Sequence, residues 1–221
     1  MTCRGVLVDL DGTILDTEPL YEEAMGRAIE LLGKSYSWEI QKLIVGKPEH
    51  VGASIIIKEL ELESKVEGPE ELLAHRDKFL LEMFLTVSPR KGIFQVLKYF
   101  KEKGLPIAIA TSSNRRYLDL KKTSNQEVFD LIDHITCGDD PGIAKGKPSP
   151  DIYLAAAKAI GVDPQHCIVL EDSLAGLQAG KAAGALAVFV SPDSRMPKDL
   201  YGVADRIFEE WSEFLPSEHG F

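Results

Sequence analysis

Short apolar runs recur along the chain, and amphipathic segments separate them. Four runs are nearly continuous in apolar residues rather than alternating: 5–10, 106–110, 167–170 and 186–190. Strands that are covered by helices on both faces of a parallel sheet have this pattern. Three of the intervening segments have helical periodicity and are each followed by glycine: 92–103, 150–160 and 173–183. The alternation predicts an α/β fold, a doubly wound, Rossmann-like core with a parallel sheet.

The stretch after the first strand differs from the rest. It contains amphipathic helical patterns and no run typical of a buried strand; the helical patterns cover 20–32, 37–45, 49–60 and 69–84. We therefore expect an α/β core made of residues 1–15 and 88–221, with a small α-helical insert at 16–87.

Charge narrows the range of partners. The 221-residue chain has 25 Lys and Arg against 35 Asp and Glu, which gives a formal net charge of −10. Nucleic acids and anionic membranes favour basic surfaces, so we expect neither as a partner. An anionic small molecule would be mildly repelled as well, so a site for one needs local cations or a metal ion.

Cysteine usage and the N-terminal sequence indicate the compartment. Cys3, Cys137 and Cys167 are widely spaced and form no CxxC pair, which is typical of reduced thiols inside a cell. The sequence from Met1 shows no signal-peptide pattern, and no apolar run approaches the roughly 20 residues of a membrane span. The expectation is a soluble, cytoplasmic protein.

Candidate chemistry gathers at the predicted strand ends. Asp9 and Asp11 follow the first strand at a spacing that places both side chains on one side of an extended chain. Thr111 and Ser112 follow the second strand, beside the start of a helix, where backbone N–H groups bind anions. Ligands in open parallel sheets bind beyond the carboxyl ends of the strands, so these residues should lie at one edge.

Two further segments complete the set. Glu171 and Asp172 follow the third apolar run, and Lys147 lies just before a predicted helix. Carboxylate oxygens suit Mg²⁺, and hydroxyls with a lysine suit a phosphate group. Each segment alone reads more simply, as a solvated turn, a helix cap or a surface charge. It is their shared place at one sheet edge that predicts a magnesium and phosphate site.

This set resembles the haloacid dehalogenase-like hydrolase superfamily over nearly the whole chain. The resemblance implies that Asp9 is the nucleophile that forms an aspartyl phosphate, and that Asp11 is the general acid and base. It also implies Mg²⁺ held by the side chains of Asp9 and Asp172 and by the main-chain carbonyl of Asp11. Glu171 would bind the ion through a water molecule, or would lie behind the direct ligands and support them.

The resemblance further implies that Thr111, the backbone around Ser112, and Lys147 hold the phosphoryl group. The helical insert would be the family's cap, and Glu18 and Lys47 are the cap residues expected to face the substrate. A solvated helix-end charge is an equal alternative for Lys47. One departure lies at the second junction, where the family often has Pro-Gly and this chain has Pro89-Arg90-Lys91-Gly92.

Within the family the chain is most similar to the branch of pseudouridine-5′-phosphatase and the glycerol-3-phosphatases, which also resembles β-phosphoglucomutase. The matching stretches are 36–38, 122–124, 138–141 and 146–151. The implied activity is phosphatase action on a small phosphorylated metabolite, such as a sugar, polyol or nucleoside monophosphate, by a monomer. Alternatives are a sugar-phosphate mutase and a catalytically silent binding protein. A dehalogenase is disfavoured because Asp11 is present.

Overall fold

The computed structural model describes residues 3–45, 47–190, 202–214 and 216. Contacts within the chain divide it into two compact units, one made of residues 1–16 with 87–221 and the other of residues 17–86. The chain leaves the first unit after its first strand and returns to it 70 residues later, so the larger unit is discontinuous in sequence.

The larger unit is built on a parallel sheet. Its described strands are β1 (Gly5–Val8), β2 (Ile107–Thr111), β3 (His134–Cys137), β4 (Cys167–Glu171), β5 (Leu186–Val190) and β6 (Arg206–Phe208). They are ordered β3-β2-β1-β4-β5-β6, and all neighbouring pairs are parallel. This is the order of a doubly wound sheet, whose switch point lies where the crossovers change direction beside β1. The predicted Rossmann-like fold class is confirmed.

Helices cover this sheet because its strands are apolar on both faces. In the larger unit they are α5 (Ile93–Glu102), α6 (Arg115–Lys122), α7 (Gln126–Phe129), α8 (Asp151–Ala159) and α9 (Leu174–Ala182). One buried cluster joins Leu7 of β1, Val169 of β4 and Tyr153 of α8. These contacts fix the carboxyl ends of β1 and β4 next to each other, which is where the acidic segments lie.

Two strands and one helix, β3, β6 and α7, were missed by the sequence pattern, and of α6 only the start was expected. β3 begins with an exposed histidine and β6 consists of three residues with exposed or half-buried side chains. Edge strands lack the continuous apolar run of a central strand, so their sequences give a weak signal. Helix α6 has a very polar sequence, and α7 is a single turn.

The smaller unit is helical. Its described residues form α1 (Glu18–Leu31), α2 (Trp38–Ile44), α3 (Glu49–Glu59) and α4 (Pro69–Phe84), and they contain no strand. Its own core includes Met25, Ile29, Ile56 and Leu72, so the predicted small helical unit has an independent apolar core. Among the described residues, no helix is long and apolar enough to cross a bilayer.

Candidate active site

The loop that follows β1 is held from several directions. The amide of Asp9 donates to the carbonyl of Leu170, which ties the start of the loop to β4 at 3.0 Å. The buried indole of Trp211 donates to the carbonyl of Thr13 at 2.9 Å, and Arg90 donates to the carbonyl of Gly12 at 2.8 Å. The loop therefore has fixed anchors on both sides of Asp11.

Lys147 joins two buried carboxylates at the carboxyl ends of β1 and β4. Its ammonium donates to Oδ1 of Asp9 at 2.5 Å and to Oε1 of Glu171 at 2.6 Å. The side chains of Lys147 and Asp9 are 8% exposed, and that of Glu171 is fully buried. Little water screens this pair of contacts, so the ammonium is a strong local source of positive charge in an acidic chain.

Glu171 is held by further donors. Tyr153 donates to Oε1 at 2.7 Å, and the Ser173 hydroxyl donates to Oε2 at 2.9 Å. The amides of Asp172 and Ser173 also donate to Oε2, each at 3.0 Å. The first turn of α9 comes so close that a Cβ on Gly176 would lie 1.7 Å from Oε1. A fully buried carboxylate needs such a set of donors to remain charged.

Burial and Lys147 act in opposite directions on the two acids. Burial raises the pKa of Asp9 to about 7, because the charges of Glu171 and Asp11 add to desolvation while Lys147 only partly offsets it. Burial also tends to raise the pKa of Glu171, but Lys147, the Tyr153 hydroxyl and the Ser173 amide outweigh it and hold that pKa below its usual value. The protein without metal thus favours an ionised Glu171 and leaves Asp9 partly protonated near neutral pH.

The donor set fits a hard divalent cation. One carboxylate oxygen from each of Asp9, Glu171 and Asp172 lies within 4.8 Å of the other two. Three converging carboxylates repel one another, and the raised pKa of Asp9 expresses part of that repulsion. A cation among them would relieve it, and oxygen-only donors of this kind match Mg²⁺. The residues present therefore fit the predicted magnesium site.

Asp11 has different partners from Asp9. Its Oδ2 accepts from the hydroxyl of Ser113 at 2.7 Å and from the hydroxyl of Thr111 at 3.3 Å. Its Oδ1 accepts from the ammonium of Lys121 at 2.5 Å. The side chain of Asp11 is not one of the three converging carboxylates; the family resemblance implied only its main-chain carbonyl as a metal ligand.

The structure brings together most of the predicted residues. Asp9, Lys147, Glu171 and Asp172 meet as described, and Thr111 is the buried last residue of β2. Ser112 is exposed, next to the buried Ser113. Their roles toward a phosphoryl group remain predictions.

The two predicted substrate residues belong to the helical unit. Glu18 is the first residue of α1, and Lys47 follows α2 with an exposed side chain. The roles of these two residues toward a substrate also remain predictions.

Several residues at the site were missed by sequence analysis. Lys121 is fully buried on α6, three residues after the buried Leu118, so a lysine at a core-facing helical position was the available signal. Tyr153 occupies a core position of α8 and carried no polar signal of its own. Thr13 donates to Oδ1 of Asp172 at 2.9 Å, a contact between residues 159 positions apart that no local pattern predicts.

Gly12 allows the loop to pass beside Asp172, and we expect its replacement by alanine to reduce activity. Its φ is +75°, and a Cβ there would lie 2.0 Å from Oδ2 of Asp172. Gly12→Ala should cost about 1–2 kcal/mol of backbone strain and should also push the Asp172 carboxylate away. We expect a higher Mg²⁺ requirement and a fall in kcat/KM on the order of tenfold or more, measured by Mg²⁺ titration of phosphate release.

Gly104 provides a matched control for this change. Its φ is +73°, and nothing lies within 4 Å of a Cβ built on it. Gly104→Ala therefore introduces the same backbone strain without a clash. If both variants lost the same amount of activity, the contact between Gly12 and Asp172 would have no special role.

Sequence comparisons give independent information on the chain. Residues 3–184 match the model of a family described as haloacid dehalogenase-like hydrolase. A mitochondrial (DL)-glycerol-3-phosphatase 1 of Arabidopsis thaliana is 34% identical over 97% of this chain and 72% of its own length. A probable pseudouridine-5′-phosphatase of Drosophila melanogaster is 32% identical over 96% of this chain and 91% of its own.

A comparison with solved structures agrees with the fold. A Thermotoga maritima protein, provisionally described as a β-phosphoglucomutase, superposes with a TM-score of 0.78 at 29% identity. The match covers 99% of both chains, so it includes both the sheet unit and the helical unit.

Proposed function

This chain belongs to the haloacid dehalogenase-like hydrolase family, and we propose that it is a Mg²⁺-dependent phosphatase that acts on a small phosphomonoester through an aspartyl phosphate on Asp9. Membership confirms the resemblance drawn from the motifs. The names of the relatives also confirm the expected enzyme class, a phosphoric monoester hydrolase. The substrate, the metal and the roles of individual residues are the proposal.

The proposal rests on one observation: three carboxylates converge, and a buried lysine lies between two of them. Lys147 contacts Asp9 and Glu171, and the oxygens of Asp9, Glu171 and Asp172 converge within 4.8 Å. A nucleophilic carboxylate must approach an anionic phosphate, and cations at that point offset the repulsion. A purely structural ion pair would not need a third acid at the same place.

The proposed reaction has two steps. An oxygen of Asp9 forms a bond to phosphorus while the bond from phosphorus to the leaving oxygen breaks, and Asp11 gives its proton to that oxygen. Water then attacks the phosphorus of the aspartyl phosphate, Asp11 takes a proton from the water, and the Asp9 carboxylate is regenerated with release of inorganic phosphate. Thr111, the backbone at Ser112, and Lys147 would hold the equatorial oxygens during both transfers.

Asp9, Asp172 and the carbonyl of Asp11 would hold the Mg²⁺ ion, with Glu171 supporting them. When bound, the ion supplies positive charge that favours the ionised form of Asp9 and stabilises the transferring group. Asp9 needs such a charge nearby, since burial raises its pKa to about 7 and a protonated carboxyl is a poor nucleophile.

We propose that the helical unit selects the substrate, through Glu18 and Lys47. In the proposed reaction the core residues contact only the phosphoryl group and the leaving oxygen, so discrimination between leaving alcohols requires contacts from elsewhere. The Arabidopsis and Drosophila relatives are named for polyol and nucleoside phosphates, which supports a small phosphorylated metabolite. A sugar, polyol or nucleoside monophosphate, such as pseudouridine 5′-phosphate, is the proposed class.

Removal of the metal tests the proposal directly. Phosphate release is measured with sugar, nucleotide, polyol and pseudouridine monophosphates, with Mg²⁺ and with EDTA. We expect one or more of these compounds to be hydrolysed, and EDTA to lower the rate by more than about a hundredfold, with recovery on addition of Mg²⁺. Full activity in EDTA would contradict the metal, and no release from any compound would favour a silent binding protein.

A mutase is the second candidate, because the Thermotoga structure described provisionally as a β-phosphoglucomutase covers the whole chain. A mutase would return the phosphoryl group to a sugar instead of water. Incubation with β-glucose 1-phosphate separates the two functions. Conversion to glucose 6-phosphate without inorganic phosphate would replace the phosphatase assignment.

We also propose that the protein acts as a monomer in the cytoplasm. The proposed catalytic groups all come from one chain, and its three cysteines are free thiols, which is usual for proteins of the cytoplasm. Size-exclusion chromatography with light scattering tests the first point, and fractionation of the cells of origin tests the second.

A further inference from the structure

The interior of the larger unit contains a second lysine, which faces Asp11 instead of Asp9. Lys121 lies near the end of α6 and its side chain is 0% exposed, while the side chain of Asp11 is 19% exposed. Its ammonium donates to Oδ1 of Asp11 at 2.5 Å and to Oγ of Ser113 at 2.8 Å. Ser113 in turn donates to Oδ2 of Asp11 at 2.7 Å, so the three groups close a small ring.

This ring fixes the carboxylate of Asp11 in two directions. Oδ1 is held by Lys121, and Oδ2 by Ser113 together with Thr111. Donors on both oxygens restrain rotation about the bond to the carboxylate, which a donor on one oxygen alone does not. The restraint comes from three separate points of the fold: the end of β2, the loop after it, and α6.

Packing does not account for a lysine at this position. Desolvating an ammonium costs several kcal/mol, and an apolar side chain of similar length would fill the same volume without that cost. Buried ion pairs can often be replaced by apolar residues with no loss of stability. The benefit of the lysine is therefore to be sought in what it does to Asp11.

We propose that Lys121 is a positioning residue, which together with Ser113 holds the Asp11 carboxylate in the orientation needed for proton transfer. The inference rests on the proposed function, in which Asp11 protonates the leaving group and then activates water. Lys121 contacts neither the phosphoryl group nor the metal in this scheme; it acts through Asp11. Effective proton transfer depends on such geometry, since the donor must lie within hydrogen-bonding distance of the leaving oxygen.

The dependence on the leaving group tests this role. In Lys121→Met, kcat/KM is measured with p-nitrophenyl phosphate and with the alkyl phosphate that is hydrolysed best in the substrate screen. Nitrophenolate departs without a proton, whereas an alkoxide needs one. We expect kcat/KM to fall about tenfold to a hundredfold for the alkyl phosphate and less than about threefold for the aryl phosphate. Equal losses with both substrates would overturn the proposal.

A double-mutant cycle with Asp11 gives a second, independent readout. If Lys121 acts through Asp11, Lys121→Met should change kcat/KM by less than about twofold when introduced into Asp11→Asn. If the lysine only supports the fold, the two losses should multiply, and that result would overturn the proposal. Ser113→Ala removes the shorter of the two hydroxyl contacts on Oδ2 of Asp11. We expect it to show the same preference for loss with alkyl phosphates, so the test holds even if Lys121→Met folds poorly.

Lys122 is the matched control. It is the next residue of α6, and its ammonium lies over the ring of Phe129 at 5.7 Å, away from Asp11. Lys122→Met should leave both substrates unaffected. A wild-type protein that releases no phosphate would refute the proposed function itself, whereas an active wild type with uniform losses in Lys121→Met would refute only the positioning role.

Discussion

Asp9→Asn should abolish phosphate release, with a loss of at least about 10⁴-fold, the scale expected when a nucleophile is removed. The amide has nearly the same shape as the carboxylate but cannot form the aspartyl phosphate. Asp9 is buried beside Lys147, the cation proposed to face the phosphoryl group. The measurement is phosphate release with the best substrate of the screen, at saturating Mg²⁺.

The variant should remain folded, and its stability should respond to pH in a particular direction. In the protein without metal the pKa of Asp9 is raised from 3.8 to about 7, so between these values the folded state binds more protons than the unfolded state. The stability that this group contributes is fully present below pH 3.8 and is lost as pH rises through 7. Asn needs no ionisation, so in EDTA at pH 8 we expect Asp9→Asn to melt at a higher temperature than the wild type.

Asp133→Asn is the control for this change. Asp133 is a partly exposed carboxylate of the same unit, paired with Lys101 at 2.5 Å on the surface. Asp133→Asn should retain full phosphatase activity. Substantial phosphate release by Asp9→Asn would contradict the covalent route, and a Tm advantage that grew as pH fell toward 5 would contradict the raised pKa of Asp9.

Lys147→Met should cause the second large loss, in both activity and stability. The ammonium is the cation between Asp9 and Glu171, and without it both carboxylates lie buried at close range. Removing one partner of a buried ion pair typically costs about 3–5 kcal/mol. We expect a loss of that order in the free energy of unfolding at pH 8 in EDTA, and a fall in kcat of at least about a thousandfold.

Mg²⁺ should affect the stability and the activity of Lys147→Met differently. The ion should restore part of the lost stability of Lys147→Met, because it provides an alternative cation for the same carboxylates. It should not restore the activity, because the ammonium that we propose as a contact of the phosphoryl group is then still missing. Urea unfolding with and without Mg²⁺ measures the first effect, and the phosphate assay measures the second.

Lys181→Met is the corresponding control on the surface. Lys181 contacts both oxygens of Asp205 at 2.7 and 2.8 Å, but its side chain is 38% exposed. Exposed pairs contribute about 0–1 kcal/mol, so this variant should be close to the wild type in both assays. If Lys147→Met behaved like Lys181→Met, the central role of Lys147 would be disproved.

The sequence predicts the central part of the fold because burial on both faces leaves a clear pattern. The segments that became β1, β2, β4 and β5 are almost entirely buried, and continuous apolar runs identify them. The edge strands β3 and β6 are half exposed and have no such pattern. The four helices of the smaller unit were found because each contributes apolar side chains to one shared core.

The candidate site also contains some residues that the sequence predicts and others that it does not. Asp9, Lys147 and Glu171 were predictable because each lies at the end of a strand or just before a helix, at the edge of the sheet where ligands bind. Lys121 and Tyr153 were not, since both lie within helices and reach the site only through tertiary packing. Functional residues at the ends of strands and helices can be recognised in a sequence, whereas residues within a helix that support them cannot.

The indole of Trp211 offers a way to observe the nucleophile loop in solution. The chain has two tryptophans: Trp38, which begins α2 in the helical unit, and Trp211, whose N–H donates to the carbonyl of Thr13. Replacing Trp38 with phenylalanine leaves a single tryptophan, whose indole is hydrogen-bonded to the backbone four residues after Asp9. Its emission then becomes a built-in optical reporter of that loop, and stopped-flow recordings would follow ligand arrival there in real time without any attached dye.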